Sequence, residues 1–86
     1  MNIIWTSTAW KQYISLQTED KKLIKKINDL IKDIERNGLL KGSGKPEALK
    51  YIKACSRHIN DEHRLVYNKD NNGNLIIYSC KGHYEE

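Results

Sequence analysis

The chain is poor in the features that would make it secreted, membrane-bound or multidomain. It has one proline and two cysteines in 86 residues, and no apolar run near the roughly 20 residues that a membrane helix needs. With a single Pro46 and no polar tract to act as a linker, residues 1–86 are expected to form one domain. A disulfide framework is excluded, because secreted domains of this size usually carry four or more cysteines. Cys55 and Cys80 lie in apolar stretches without metal-ligand spacing and are expected to be reduced thiols in the core. The start, Met1-Asn2-Ile3-Ile4-Trp5, has no basic leader and too short an apolar run for a signal peptide, so a cytoplasmic location without membrane contact is expected. A domain of this length buries only about 60% of its unfolded surface. A surface groove is therefore expected rather than an enclosed small-molecule pocket.

The chain is rich in positive charge. Fifteen Lys and Arg stand against eleven Asp and Glu, a formal net charge of +4, and the excess lies in residues 1–50 with ten basic and six acidic side chains. Such a balance favours phosphate backbones or an acidic protein partner, and charge alone does not choose between them.

Local patterns predict the order of elements. Ile3-Ile4-Trp5 suits a brief strand, and Thr6-Ser7-Thr8 offers N-cap hydroxyls for a helix over about 8–17. Thr18-Glu19-Asp20 restarts the chain. Leu23, Ile24, Ile27, Leu30, Ile31 and Ile34 then trace one apolar helical face, with Asn37-Gly38 as its stop. Lys21, Lys22, Lys25, Lys26 and Lys32 fall mainly on the rest of that cylinder, as a solvated face or a surface for RNA. Residues 39–46 form a Gly- and Lys-rich loop that lacks the spacing of a nucleotide-binding P-loop. Period-two runs at 49–52, 55–59, 64–68 and 75–80 predict four strands, with turns at Asp61-Glu62 and Asn71-Asn72-Gly73. The expected class is α+β: a short N-terminal strand and two helices packed on a twisted antiparallel sheet.

The C-terminal half supplies few chemically active groups, and its histidines at 58, 63 and 83 form no zinc signature with the cysteines. It does hold what metal-free RNA cleavage needs. RNA brings its own nucleophile, the 2′-hydroxyl. A carboxylate or His can take its proton, a His can protonate the leaving 5′-oxygen, and Arg or Lys can steady the phosphorane.

Four segments sharpen this inventory: Ile4-Trp5-Thr6, Gly44-Lys45-Pro46-Glu47-Ala48-Leu49-Lys50, the run Ser56-Arg57-His58-Ile59-Asn60-Asp61-Glu62-His63-Arg64-Leu65-Val66-Tyr67, and the terminal His83-Tyr84. In this order, and over almost the whole chain, they closely resemble the YoeB toxins of bacterial toxin–antitoxin systems, within the RelE-like superfamily. The resemblance implies a RelE-like, microbial-RNase-like fold. It implies cleavage of mRNA in the ribosomal A site without metal or cofactor, leaving a 2′,3′-cyclic phosphate and a 5′-hydroxyl, and so inhibition of translation. It also implies ribosomal RNA contacts, a cognate YefM/Axe-like antitoxin and a homodimer.

Carried over by motif, Glu47 matches the general base, His83 the general acid, Arg64 the group that stabilises the transition state, and Tyr84 an aromatic that orients the nucleotide. Lys50 matches a phosphate-contacting cation, and Lys45, Arg57 and His58 complete the expected RNA contacts. His63 is expected to be structural.

The chain departs from the family pattern in three places. Arg57-His58 stands where the family usually has two arginines, so an imidazole replaces a permanent cation. Arg57 cannot simply substitute for its neighbour, because adjacent strand residues face opposite ways. Lys53-Ala54-Cys55 stands where a Gly and bulky aromatics are frequent. Glu85-Glu86 extends past the usual Tyr ending and is expected to weaken RNA binding at low salt; deleting the pair and titrating RNA over a salt series tests this.

Overall fold

The helices form where the apolar spacing places them. In the computed structural model, which describes residues 1–83, β1 (Ile3–Trp5) is followed by α1 (Ser7–Glu19) and α2 (Lys21–Asn37). Thr6 caps α1 by accepting from Ala9 N at 3.1 Å, and its hydroxyl donates to Tyr78 O at 2.9 Å. Asp20 is the only residue between the helices and serves both. Its N–H donates to Leu16 O at 2.8 Å, while its carboxylate accepts from the Lys22 and Leu23 amides at 3.1 and 3.3 Å. That carboxylate also sits at the positive end of the α2 dipole, beside two lysines that the dipole disfavours. Ile27, Leu30, Ile31 and Ile34 bury the predicted stripe of α2, and Ala9 and Leu16 anchor α1.

The strands follow as β2 (Glu47–Ala48), β3 (Cys55–His58), β4 (Arg64–Lys69) and β5 (Leu75–Ser79). Among the described residues the sheet runs β1-β5-β4-β3-β2. The two helices pack on it, so the class is α+β. Neighbours from β2 to β5 are antiparallel, whereas β1 lies parallel to β5, with Ile3 opposite Leu75 and Trp5 opposite Ile77. The sheet is therefore mixed, a feature that period-two alternation does not encode.

The run 49–52 is not a strand. Leu49 N donates to Ala54 O at 2.9 Å, which makes residues 49–54 the loop of the β2–β3 hairpin and leaves Tyr51 77% exposed. Pairing starts two residues earlier, immediately after Pro46, whose ring fixes φ near the extended range. The other two turns form as expected. Asn60 Oδ1 accepts from the amides of Glu62 and His63, and Asp70 Oδ1 from those of Asn72 and Asn74.

The core gathers Leu16, Ile27, Leu30 and Ile34 against Leu65, Tyr67, Leu75, Ile77 and both cysteines. Cys55 and Cys80 are buried free thiols, and burial pushes the Cys80 thiol up to about 11. Among the described residues, no helix is long and apolar enough to cross a membrane.

Candidate active site

Strand parity sorts the residues of the third and fourth strands onto two faces. Directly opposed residues share a face. Cys55 opposes Tyr67 and Arg57 opposes Leu65, all toward the helices; His58 opposes Arg64, and Ser56 opposes Glu47 and Val66, on the outer face. The register thus brings Glu47, His58 and Arg64 to one side of the sheet, away from the apolar core.

Lys45 enters this face from the loop before β2. Its φ of 53° is the one left-handed value among the described non-glycine residues, a conformation costing on the order of 1 kcal/mol. It is held in place from both sides: His58 N donates to Gly44 O at 2.7 Å, and Pro46 follows.

His83 arrives from the other end of the chain. After β5 the tail turns back along the start of β4, where Arg64 N donates to Gly82 O at 3.0 Å. Gly82 N donates to His63 Nδ1 at 2.8 Å, and the His83 ring donates from Nε2 to Asp61 O at 2.9 Å. Two consequences follow for protonation. His63 accepts at Nδ1, so its ring is the neutral Nε2–H form. His83 spends its Nε2 proton on a carbonyl, which leaves Nδ1 as the nitrogen available to a substrate.

The electrostatics of His58 tie the cluster together. Its imidazole pKa is lowered, first by burial and then by the positive charges of Arg64 and Lys45. Glu47 opposes that shift and His83 adds to it. His58 therefore sits within the fields of Lys45, Glu47, Arg64 and His83 at once, and is neutral at pH 7. Arg64 anchors one nitrogen, Nη1, on Asn60 O at 2.7 Å and His63 O at 3.2 Å, with the rest of its fork unpartnered among the described residues. Glu47 is exposed and forms no ion pair among the described residues. One carboxylate, two imidazoles, a guanidinium and an ammonium thus line an open, shallow surface. Depressions are also present along α2 at Lys26, Asp29 and Arg36, and against β1 at Ile3, Trp5 and Ile31.

Lys50 is exposed in the 49–54 loop, three residues after Glu47. Tyr84 lies outside the described residues, as do Glu85 and Glu86.

Arg57 requires a correction. Expected to contact RNA, it is fully buried on the core face, with its guanidinium paired to the Asp33 carboxylate and bonded to Tyr67 Oη and to the carbonyls of Gly38, Lys41 and Ser43. No donor remains for a phosphate. Sequence inspection missed Asn60, whose carbonyl holds Arg64. His63 is structural as expected, accepting from Gly82 N to fix the tail. Among the described residues, no three His, Cys, Asp or Glu side chains converge in a way that could hold a metal ion.

The chain is similar to known proteins over nearly its whole length. A family model described as the YoeB-like toxin of bacterial type II toxin–antitoxin systems matches residues 5–84. The chain is 44% identical to toxin YoeB of Escherichia coli K12 over 86 residues, covering 98% of this chain and 100% of that protein. Its structure is similar to that of a YoeB dimer from Staphylococcus aureus, with a TM-score of 0.91, 49% identity and 98% of both chains covered. It is also similar to the toxin in a heterotetrameric YoeB–YefM complex from the same organism, with a TM-score of 0.88, 51% identity and 98% of both chains covered.

Proposed function

The chain belongs to the YoeB-like toxin family of type II toxin–antitoxin systems, and on that premise we propose that it is a ribosome-dependent endoribonuclease that cuts mRNA in the A site. The observation that carries this reading is the convergence of Glu47, His58, Arg64 and His83, from three separate segments, on one solvent-facing surface. A sheet face built only for packing has no use for that combination.

The chemistry follows from the residues. Glu47 takes the proton of the 2′-hydroxyl, and the freed oxygen attacks the adjacent phosphorus. The Arg64 guanidinium, with Lys45 and Lys50, stabilises the charge that builds on the non-bridging oxygens. His83, acting as the imidazolium, gives its Nδ1 proton to the 5′-oxygen as the bond between that oxygen and phosphorus breaks, while Nε2–H stays on Asp61 O. The products are a 2′,3′-cyclic phosphate and a 5′-hydroxyl, and no step calls for a metal or cofactor. Each proton transfer contributes about a hundred- to ten-thousand-fold in rate. In this scheme Tyr84 orients the nucleotide by stacking, worth roughly 1–3 kcal/mol per base. The open surface suits a strand delivered by the ribosome, which itself fixes the scissile bond.

We assign the protein a cytoplasmic location, ribosomal RNA contacts, a YefM-like antitoxin and a homodimeric form; the Staphylococcus aureus relatives, described as a dimer and as a YoeB–YefM complex, support the last two. The test uses ribosomes programmed with a defined mRNA, with the RNA ends mapped. Cuts at the A-site codon that persist in EDTA and disappear with His83→Gln or Arg64→Ala are expected. Ribosome binding without cuts would replace this reading with that of an RNA-binding module lacking turnover.

A further inference from the structure

The segment that delivers Lys45 and Glu47 to the outer face has no regular structure of its own. From Gly38 to Lys45 it contains four positive φ angles, at Gly38, Gly42, Gly44 and Lys45. What gives it a shape is the buried guanidinium of Arg57. Nε donates to Tyr67 Oη at 2.9 Å, Nη1 to the Asp33 carboxylate and to Ser43 O at 2.9 Å, and Nη2 to Gly38 O and Lys41 O at 2.9 and 2.7 Å. Those five acceptors use all five N–H groups of the fork. Tyr67 passes its own proton to Leu39 O at 2.6 Å, and Asp33 accepts the Ser43 amide at 3.0 Å. Four carbonyls and one amide of residues 38–43 therefore end on a single cluster rooted in α2, β3 and β4.

The fit leaves no slack. A Cβ at Gly42 would overlap the Asp33 carboxylate at 2.0 Å, and one at Gly44 would press on Arg57 Cβ and His58 O at 3.1 Å. Packing alone gives no reason for a charge here, since apolar side chains of similar volume are often as stable as a buried ion pair. What only the planar fork supplies is fixed directions for several carbonyls at once. The next residue in the strand, His58, faces outward and accepts nothing from this cluster; its amide closes the loop on Gly44 O. A single dipeptide thus ties the loop inward and presents the outer face beside Lys45 and Glu47.

We propose that Arg57, with Asp33 and Tyr67, is a positioning residue that sets Lys45 and Glu47 against Arg64 and His83. The proposal rests on the nuclease reading for the role of Glu47, though not for the geometry of the loop. Arg57→Lys keeps the charge opposite Asp33 and loses the fork. In the programmed-ribosome assay it is expected to lower kcat on the order of a hundredfold with KM little changed. In nuclear magnetic resonance spectra of the free protein, the Lys45 and Glu47 amides shift and the Ser43 amide loses exchange protection, while residues 76–79 stay in place.

An Ile77→Val control, matched for folded fraction, separates this from a merely structural role. Equal losses of kcat in the control, or unmoved Lys45 and Glu47 amides in folded Arg57→Lys, would overturn the proposal. If Arg57→Lys does not fold, Tyr67→Phe removes one hydroxyl from the cluster and carries the same two readouts. A wild type that fails to cut programmed ribosomes sinks the nuclease reading, and the amide shifts still decide the clamp.

Discussion

Arg57 and Arg64 lie on neighbouring strands one rung apart, Arg57 opposite Leu65 and Arg64 opposite His58. Their side chains leave the sheet in opposite directions, and everything else about them differs accordingly. Arg57 is fully buried and donates every N–H to protein; Arg64 is half-buried and holds the turn carbonyls of Asn60 and His63 through one nitrogen. The same functional group is thus structural on one face and presented to solvent on the other. Charge is a poor guide to role when the sheet decides which way it points.

The contrast makes Arg57→Met and Arg64→Ala opposite experiments. Arg57→Met leaves Asp33 and three loop carbonyls without their partner, and a loss of roughly 3–5 kcal/mol is expected. For a domain of this size the melting temperature falls on the order of 10 °C or more, read by thermal denaturation. Arg64→Ala changes stability by about 0.5 kcal/mol or less and lowers cleavage about a hundred- to a thousandfold, read from A-site cutting rates. Reversed results, with Arg64 costing stability and Arg57 only activity, would break the comparison.

The His58 neighbour sharpens it. Burial, then Arg64 and Lys45, hold this imidazole below its ordinary value, so it gains charge only as pH falls below about 6.5. RNA affinity should therefore rise as the medium is acidified from pH 7. The stability held by neutral His58 is present above the unfolded-state value and declines as pH drops beneath it. His58→Arg should bind RNA more tightly at pH 7, steepen the salt slope by about 0.7, and abolish this pH dependence, as measured by RNA titration.

The Arg57–Asp33 pair carries a pH dependence of stability, read at Asp33. The Ser43 amide, and then Arg57, hold its carboxyl below the usual carboxylate value. A lowered acid stabilises the fold above the unfolded-state value, about 3.9, and that contribution disappears as pH falls through the folded value. Asp33→Asn should accordingly flatten the acid limb of stability below about pH 4, visible as urea midpoints that change less with pH than in the wild type.

Sequence and structure agree where periodicity was decisive. The α2 stripe from Leu23 to Ile34, the Asn60-to-His63 and Asp70-to-Asn74 turns, and the buried cysteines were all legible, because local spacing and turn chemistry determine them. The run from Leu49 to Ile52 alternates like a strand and yet forms a hairpin loop, since alternation does not say where pairing begins. The opposition of Arg57 and His58 followed from strand parity. Which of them faces inward did not, because the acceptors that make burial of a guanidinium tolerable come from residues 33–43 and Tyr67. The gathering of Glu47, Arg64 and His83 needed the tail to fold back on His63, a contact that no local pattern records.

The parallel pairing of β1 with β5 has a consequence for the life of the chain. Bonds such as Asn2 N to Asn74 Oδ1 and Thr6 Oγ1 to Tyr78 O join residues 72 positions apart. Pairings this distant in sequence slow folding. A protein made from its N-terminus onward must hold Ile3–Trp5 unpaired until the last strand has been synthesised. The chain therefore acquires its finished surface only after Leu75–Ser79 has been made, and a product cut short before Leu75 would lack both the strand against which α1 packs and the tail that carries His83.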